Sequence, residues 1–292
     1  MKVIATFSIV AYDPKNQEWG VAVQSKFLGV GAVVPAAKAG IGAVATQSYA
    51  NLMYGPDGLK MMDEGSAAKE TIEFLTAADD GRDQRQVGMI DKNGQAFAYT
   101  GAGCSDWAGH LIGEGYACQG NILVPGTIEA MATRFEEARE GEGELADWLV
   151  ESLLAGQEAG GDSQGRQSAA VLVVREGGGY GGNNDRYLDL RVDDHPMPIK
   201  ELKRILAIHH LFFGKMIEGN TVPLSEVAAE LQEMLTRTGN YFGKINGSFD
   251  DVTRKALLSL VGTENLEERW TGKEDEIDLE ALNFLRDKFS KV

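Results

Sequence analysis

Cysteine, histidine and proline are scarce in this 292-residue sequence, with two, four and seven copies respectively. Cys104 and Cys118 are too few to build a metal cluster alone. Without a secretion signal they read as free thiols of a reducing compartment, and the expected location is cytoplasmic. The opening Met1 to Val10 has one lysine and a short apolar run but meets Asp13-Pro14 where a small-residue cleavage site would stand, so we read no signal peptide. No apolar run approaches the roughly 18 residues of a membrane helix. Basic residues are the last shortage. Twenty-eight Lys and Arg face 44 Asp and Glu, and a net charge of −16 repels a phosphate backbone. Neither nucleic acid nor a membrane is expected as a partner.

The motifs that would imply a cofactor or metal fail in context. Gly40 to Ala45 matches the loose G-x-G-x-x-A dinucleotide pattern, yet the residues after it keep alternating like a strand instead of opening a helix. Gly161 to Gly165 matches G-x-S-x-G, but a helix precedes it and a strand follows, the reverse of a nucleophile elbow. His209 and His210 are adjacent, so on a helix they point apart. Asp189, Asp193, Asp194 and His195 offer hard ligands, but capping and ion pairing explain them better. We expect no cofactor and no metal.

Glycine is abundant, with 36 copies, and implies tight turns between short strands. Phe7, Ile9 and Ala11 alternate with Thr6, Ser8 and Val10, and Trp19 to Lys26 returns as a second strand. Val30 to Val34 and Ile41 to Gln47 read as a second hairpin around Pro35 to Gly40. Helices are expected over Gly58 to Glu64 and Ser66 to Ala77. A hairpin turns on Asn93-Gly94, and a strand spans Tyr116 to Ile122. A helix pair follows, begun by Thr127 and by Leu145; then come strands Ser168 to Arg175 and Tyr187 to Val192, and a helix from Ile199 to Phe213. Hairpins interleaved with helix pairs imply an α+β sandwich of antiparallel sheets with helices as outer layers. The stretch Glu218 to Pro223 shifts in composition, so we expect one domain over 1–215 and a helical one over 223–292.

Several spaced motifs then carry a resemblance. Thr6-Phe7-Ser8-Ile9-Val10-Ala11, Gly31-Ala32-Val33-Val34-Pro35, Gly42 to Gln47, Gln119-Gly120-Asn121, Gly160-Gly161-Asp162, Gly165 to Ala170 and Asp189 to His195 resemble domain-of-unknown-function family 1028. The match runs from about Val3 to His210. The family in turn looks like the N-terminal-nucleophile (Ntn) hydrolases, which implies a four-layer αββα sandwich. In those enzymes a Thr, Ser or Cys opening the first strand attacks an amide, and its own free α-amine serves as base. The resemblance assigns Thr6 as nucleophile, Lys38, 32 residues downstream, as the group that tunes the amine, and Asp162 with Ser163 as orienting groups. The Ser25–Lys26 position falls where those enzymes carry an aspartate. Five residues precede Thr6, so this chemistry requires cleavage between Ala5 and Thr6.

Gln47, Asn51, Asn121 and Arg166, with Ser25, are the expected substrate-binding groups, suited to an amide through paired donors and acceptors. Cys104 is read as a small packing residue. The tail pattern of Leu231, Leu235, Gly239, Tyr241, Gly243, Ile245, Gly247, Phe249, Asp250 and Thr253 resembles a small helical peptidoglycan-binding module. That implies wall peptide or glycan fragments as ligands, against a packing or dimerisation role. The sequence thus supports two readings: an amide-bond hydrolase acting on a small amide or peptide, or a non-catalytic protein binding a small amide or amino acid on the same fold. A homo-oligomer is expected in either case.

Overall fold

The computed structural model describes residues 5–214 and 219–289. Met1 to Ile4, whose removal the N-terminal chemistry requires, and Glu218 at the expected boundary lie outside the described residues. Contacts divide the chain into two compact units, Met1–Leu206 and Ala207–Val292. The architecture is mixed α/β, with antiparallel sheets followed by a C-terminal helical region.

In the first unit, β1 (Thr6–Asp13), β2 (Glu18–Ser25), β7 (Gly109–Gly113), β8 (Tyr116–Asn121), β9 (Ser168–Val174) and β10 (Arg186–Val192) form a six-stranded sheet in the order β10-β9-β2-β1-β8-β7. A second sheet orders β3 (Pro35–Lys38), β4 (Gly42–Ser48), β5 (Arg85–Asp91) and β6 (Ala96–Thr100). Helices α1 (Tyr54–Asp63) and α2 (Ala68–Ala77) link β4 to β5, while α3 (Thr127–Arg139) and α4 (Leu145–Glu158) link β8 to β9. The β5–β6 hairpin turns at Gly94, whose φ of 75° is cheap only without a Cβ.

The period of two sorts the side chains into three apolar clusters. Phe7, Ile9 and Ala11 pack with Met131 and Phe135 of α3 and Leu149 and Leu153 of α4. Their strand neighbours Val10, Val21 and Val23 cluster instead with Ala43, Ala45 and Ile90 of the second sheet. Val44, Val87 and Met89, on that sheet's other face, join Tyr54, Met62 and Ile72 of α1 and α2. Each large aliphatic side chain so buried contributes about 1.5–3 kcal/mol relative to exposure.

One strand expectation fails. Val30–Ala32 forms a 3₁₀ turn and the strand is Pro35–Lys38. Gly29 takes a φ of 66°, and the Val30 N–H donates to Ser168 Oγ at 3.1 Å, so this β-branched run is tied down outside any ladder. The glycine-rich β7 has no counterpart in the strand pattern read from sequence.

Helix α5 (Pro198–Phe213) follows; Ile199, Leu202 and Leu206 belong to the first core cluster. The second unit contains β11 (Thr221–Pro223), α6 (Ala228–Arg237), α7 (Asp251–Thr263), β12 (Glu276–Asp278) and α8 (Leu279–Phe289). Its core joins Leu231, Leu235, Leu257, Leu260, Trp270 and Leu282. Asp250 caps α7 through the Thr253 N–H at 2.9 Å. The unit is not purely helical, since β11 and β12 pair antiparallel. Among the described residues no helix is long and apolar enough to cross a membrane.

Candidate functional site

At one end of the two sheets the facing side chains change from apolar to polar. Register places Thr6 opposite Ser25 on β2 and Asn121 on β8, and Ser8 opposite Gln119. Gln47 and Gln86 are partners in the second sheet. All of these are buried, which calls for hydrogen-bond partners within the layer, and most of their polar atoms have one, Gln119 Oε1 being an exception. The Ser8 hydroxyl donates to Gln47 Oε1 at 2.5 Å and accepts from Gln119 Nε2 at 2.6 Å. Gln47 Nε2 lies 2.9 Å from Gln86 Oε1 and 3.3 Å from the Thr6 carbonyl oxygen. Gln86 Nε2 then donates to the Gly120 carbonyl at 2.8 Å and to Thr100 Oγ1 at 3.0 Å, whose oxygen meets His110 Nδ1 at 2.9 Å. Burial holds His110 below its usual pKa.

Thr6 is 2% exposed and opens β1 within this layer. Its hydroxyl donates to Ser25 Oγ at 3.1 Å, and Ser25 Oγ donates to the carbonyl oxygen of Ala5 at 2.6 Å. A hydroxyl therefore stands next to the carbonyl of the preceding peptide, and that carbonyl's oxygen is already hydrogen-bonded by a second hydroxyl. Such an arrangement suits acyl transfer. Thr6 Oγ1 has no other hydrogen-bond partner among the described residues.

The loop after α4 closes on the same strand ends. Asp162 accepts the Lys26 N–H at 2.9 Å and the Gln164 N–H at 2.8 Å. Burial outweighs these amides and pushes its carboxyl up to about 6. The Ser163 N–H and hydroxyl both donate to the Ile122 carbonyl, at 3.0 and 2.9 Å. Ile122 and Ser48, at the ends of β8 and β4, take φ values of 56° and 64°, a left-handed conformation rare for a β-branched residue such as Ile122. Cys104 donates to the Arg85 carbonyl, and burial raises its thiol pKa.

The structure thus brings Thr6, Ser25, Gln47 and Asn121 into one buried layer and sets Asp162 and Ser163 on the strand ends beside it. Three expected residues lie elsewhere. Lys38 ends β3 opposite Gly42, five positions along β4 from Gln47, and pairs with Asp63 at 2.6 Å in an exposed ion pair. Its ion-pair partner is Asp63 of α1 rather than a group of the Thr6 layer. Asn51 donates to Asp79 at 3.1 Å, within a cluster that also ties Asp79 to Tyr54 and Arg85. Arg85 holds the Asp79 carboxyl well below the usual carboxylate range. Arg166 lines a separate cavity with residues of α4 and the start of α5. Gln86, Gln119 and His110 were missed as network members; a glutamine at the inward position of a strand was the available signal.

Comparison with known proteins follows this geometry. A crystal structure of a protein from Silicibacter pomeroyi, described as belonging to DUF1028, is 28% identical, with a TM-score of 0.63 over 70% of this chain and 86% of that one. Residues 215–285 match the family described as "Putative peptidoglycan binding domain". No curated protein matches the sequence. Residues 6–202 match the family of unknown function DUF1028, and the chain belongs to that family.

Proposed function

We propose that the first unit is an Ntn-type amide hydrolase of four-layer αββα architecture, made competent by cleavage of its own Ala5–Thr6 peptide. The layering is supported by the three apolar clusters, one between the sheets and one between each sheet and its helix pair. The hydrogen-bonded series Thr6, Ser25, Ala5 carbonyl carries the reading. Thr6 Oγ attacks the Ala5 carbonyl carbon, the Ala5–Thr6 C–N bond breaks, and the hydroxyl proton ends on the Thr6 nitrogen. Ser25 holds the oxygen as it gains charge. Water then hydrolyses the resulting ester, releasing the leading segment as a carboxylic acid and leaving Thr6 with a free hydroxyl and a free amine. That amine, with an ordinary pKa of about 7.7–8.0, serves as base for a small amide or peptide substrate. Asp162 and Ser163 position the strand ends around it; Lys38 has no part.

Intact-protein mass spectrometry tests this on wild type, Thr6→Ala and Ser25→Ala. A species beginning at Thr6 is expected in wild type, absent in Thr6→Ala and slowed in Ser25→Ala, and only the cleaved form should hydrolyse a panel of amides. A mass that always retains the leading residues sinks the N-terminal mechanism. The second reading, a non-catalytic binder, would then stand, favoured by the burial of Thr6 behind Ala5 in the uncut chain.

For the second unit we propose recognition of peptidoglycan fragments through the loop between α6 and α7. Phe242 is 92% exposed there, and Ile245 is also exposed. The loop is fixed from beneath by the buried Gln232, which accepts the Asn246 and Gly247 N–H groups at 2.9 and 3.0 Å and donates to Ser248. Titration with soluble muropeptides should give saturable binding that Phe242→Ala weakens at least tenfold. Absence of binding would leave the unit a packing module.

A further inference from the structure

Arg166, expected in the amide site, instead lines a cavity of about 190 Å³ together with Lys200, Glu158, Gln157, Leu154 and Ile199. The volume is below the roughly 300–1,000 Å³ of pockets that take drug-sized ligands, so the occupant must be small. The unpaired charges are informative. Arg166, Lys200 and Glu158 form no ion pair or hydrogen bond among the described residues, although the chain carries 44 acids that could neutralise a cation. Several cations elsewhere in this unit do find such partners, among them Arg85 with Asp79, Arg175 with Glu18, and Arg134 and Lys203 with Glu151. Two cations and one carboxylate that share a cavity without pairing leave both signs available to a ligand. Gln157 Oε1 is in addition a buried acceptor without a hydrogen-bond partner, a state that is unfavourable unless a donor arrives.

We infer that this cavity binds a small zwitterion, a free α-amino acid with an aliphatic side chain. Arg166 and Lys200 receive the carboxylate, Arg166 by its planar fork. Glu158 and Gln157 Oε1 receive the ammonium group. Leu154 and Ile199 cover the side chain. The site is distinct from the buried layer around Thr6 and does not depend on hydrolysis there. It is nonetheless anchored next to it, since Gln167, the residue after Arg166, donates its N–H to the Ser25 carbonyl at 3.1 Å.

The experiment is calorimetric titration of the full chain with L-leucine, with 4-methylpentanoate, which lacks the ammonium, and with isopentylamine, which lacks the carboxylate. Saturable heat is expected for L-leucine, with at least tenfold weaker binding of either fragment. Arg166→Ala/Lys200→Ala should weaken L-leucine at least tenfold, and Glu158→Gln should narrow the preference for L-leucine over 4-methylpentanoate. These three side chains are exposed, so the variants should fold; an unchanged unfolding midpoint checks this. No binding of L-leucine, binding unaffected by the double variant, or equal wild-type affinity for leucine and its deaminated analogue would each overturn the proposal. Because Thr6 takes no part, all outcomes can be read whether or not the chain is cleaved.

Discussion

Asp162 shows how burial can outweigh favourable hydrogen bonds. Backbone N–H groups of Lys26 and Gln164 stabilise its ionised form, yet desolvation raises the carboxyl from an ordinary 3.8 to about 6. Folding therefore favours the protonated form. The stability this residue contributes is complete below about pH 4 and is lost as pH rises through 6. Carboxyl NMR should show one aspartate titrating near pH 6 that disappears in Asp162→Asn. The wild type's urea midpoint, taken relative to that variant, should fall between pH 4 and 6; a midpoint difference flat across that window would contradict the assignment. Thr6 and Asp162 were brought forward as candidates by the family resemblance carried by Thr6 to Ala11 and by Gly160 to Asp162. Gln86 and Gln119 were not. A polar residue in an alternating strand reads as solvent-facing until a second sheet is known to cover it. Lys38 was assigned by its 32-residue separation from Thr6, and a count along the chain fixes no contact in space; its ion-pair partner is Asp63.

At the scale of elements, alternation and hairpin turns revealed most of the strands and helices, whereas β7 escaped because Gly109 and Gly113 dilute its pattern. Close approach of the sheets is enforced at Gly88 on β5. A Cβ there would lie 2.1 Å from Gln119 Oε1 and 2.6 Å from its Cδ. Gln119 cannot swing aside freely, since its Nε2 donates to Ser8. Gly88→Ala should cost about 1–3 kcal/mol by overpacking, measured by urea unfolding, and Gly88→Ala/Gln119→Ala should recover part of that loss. If the single substitution is neutral, the two sheets are not held at this separation by the glutamine layer. In the second unit the corresponding device is Gln232, whose side chain replaces backbone pairing for the loop before α7. Gln232→Leu removes the acceptor of the Asn246 and Gly247 N–H groups. Faster hydrogen exchange at those two amides is expected, with α3 and α4 unchanged.

For the whole molecule, the distribution of apolar contacts predicts how it unfolds. The first unit has three apolar clusters joined through two sheets, while the second relies on one cluster around Leu257, Leu260 and Trp270. A unit of fewer than a hundred residues buries a smaller share of its surface and is correspondingly less stable. The boundary falls within α5, whose Leu206 joins the first core and Leu211 the second. Two cores of unequal size should give two calorimetric transitions, with the measured enthalpy exceeding the van't Hoff value for a single step. Leu257→Ala, removing a fully buried side chain at about 2–5 kcal/mol, should lower the cooler transition and leave the other in place. Phe135→Ala should do the reverse. A single transition shifted equally by both substitutions would mean that α5 couples the cores into one cooperative body, and the second unit could then not be treated as an independently folded module.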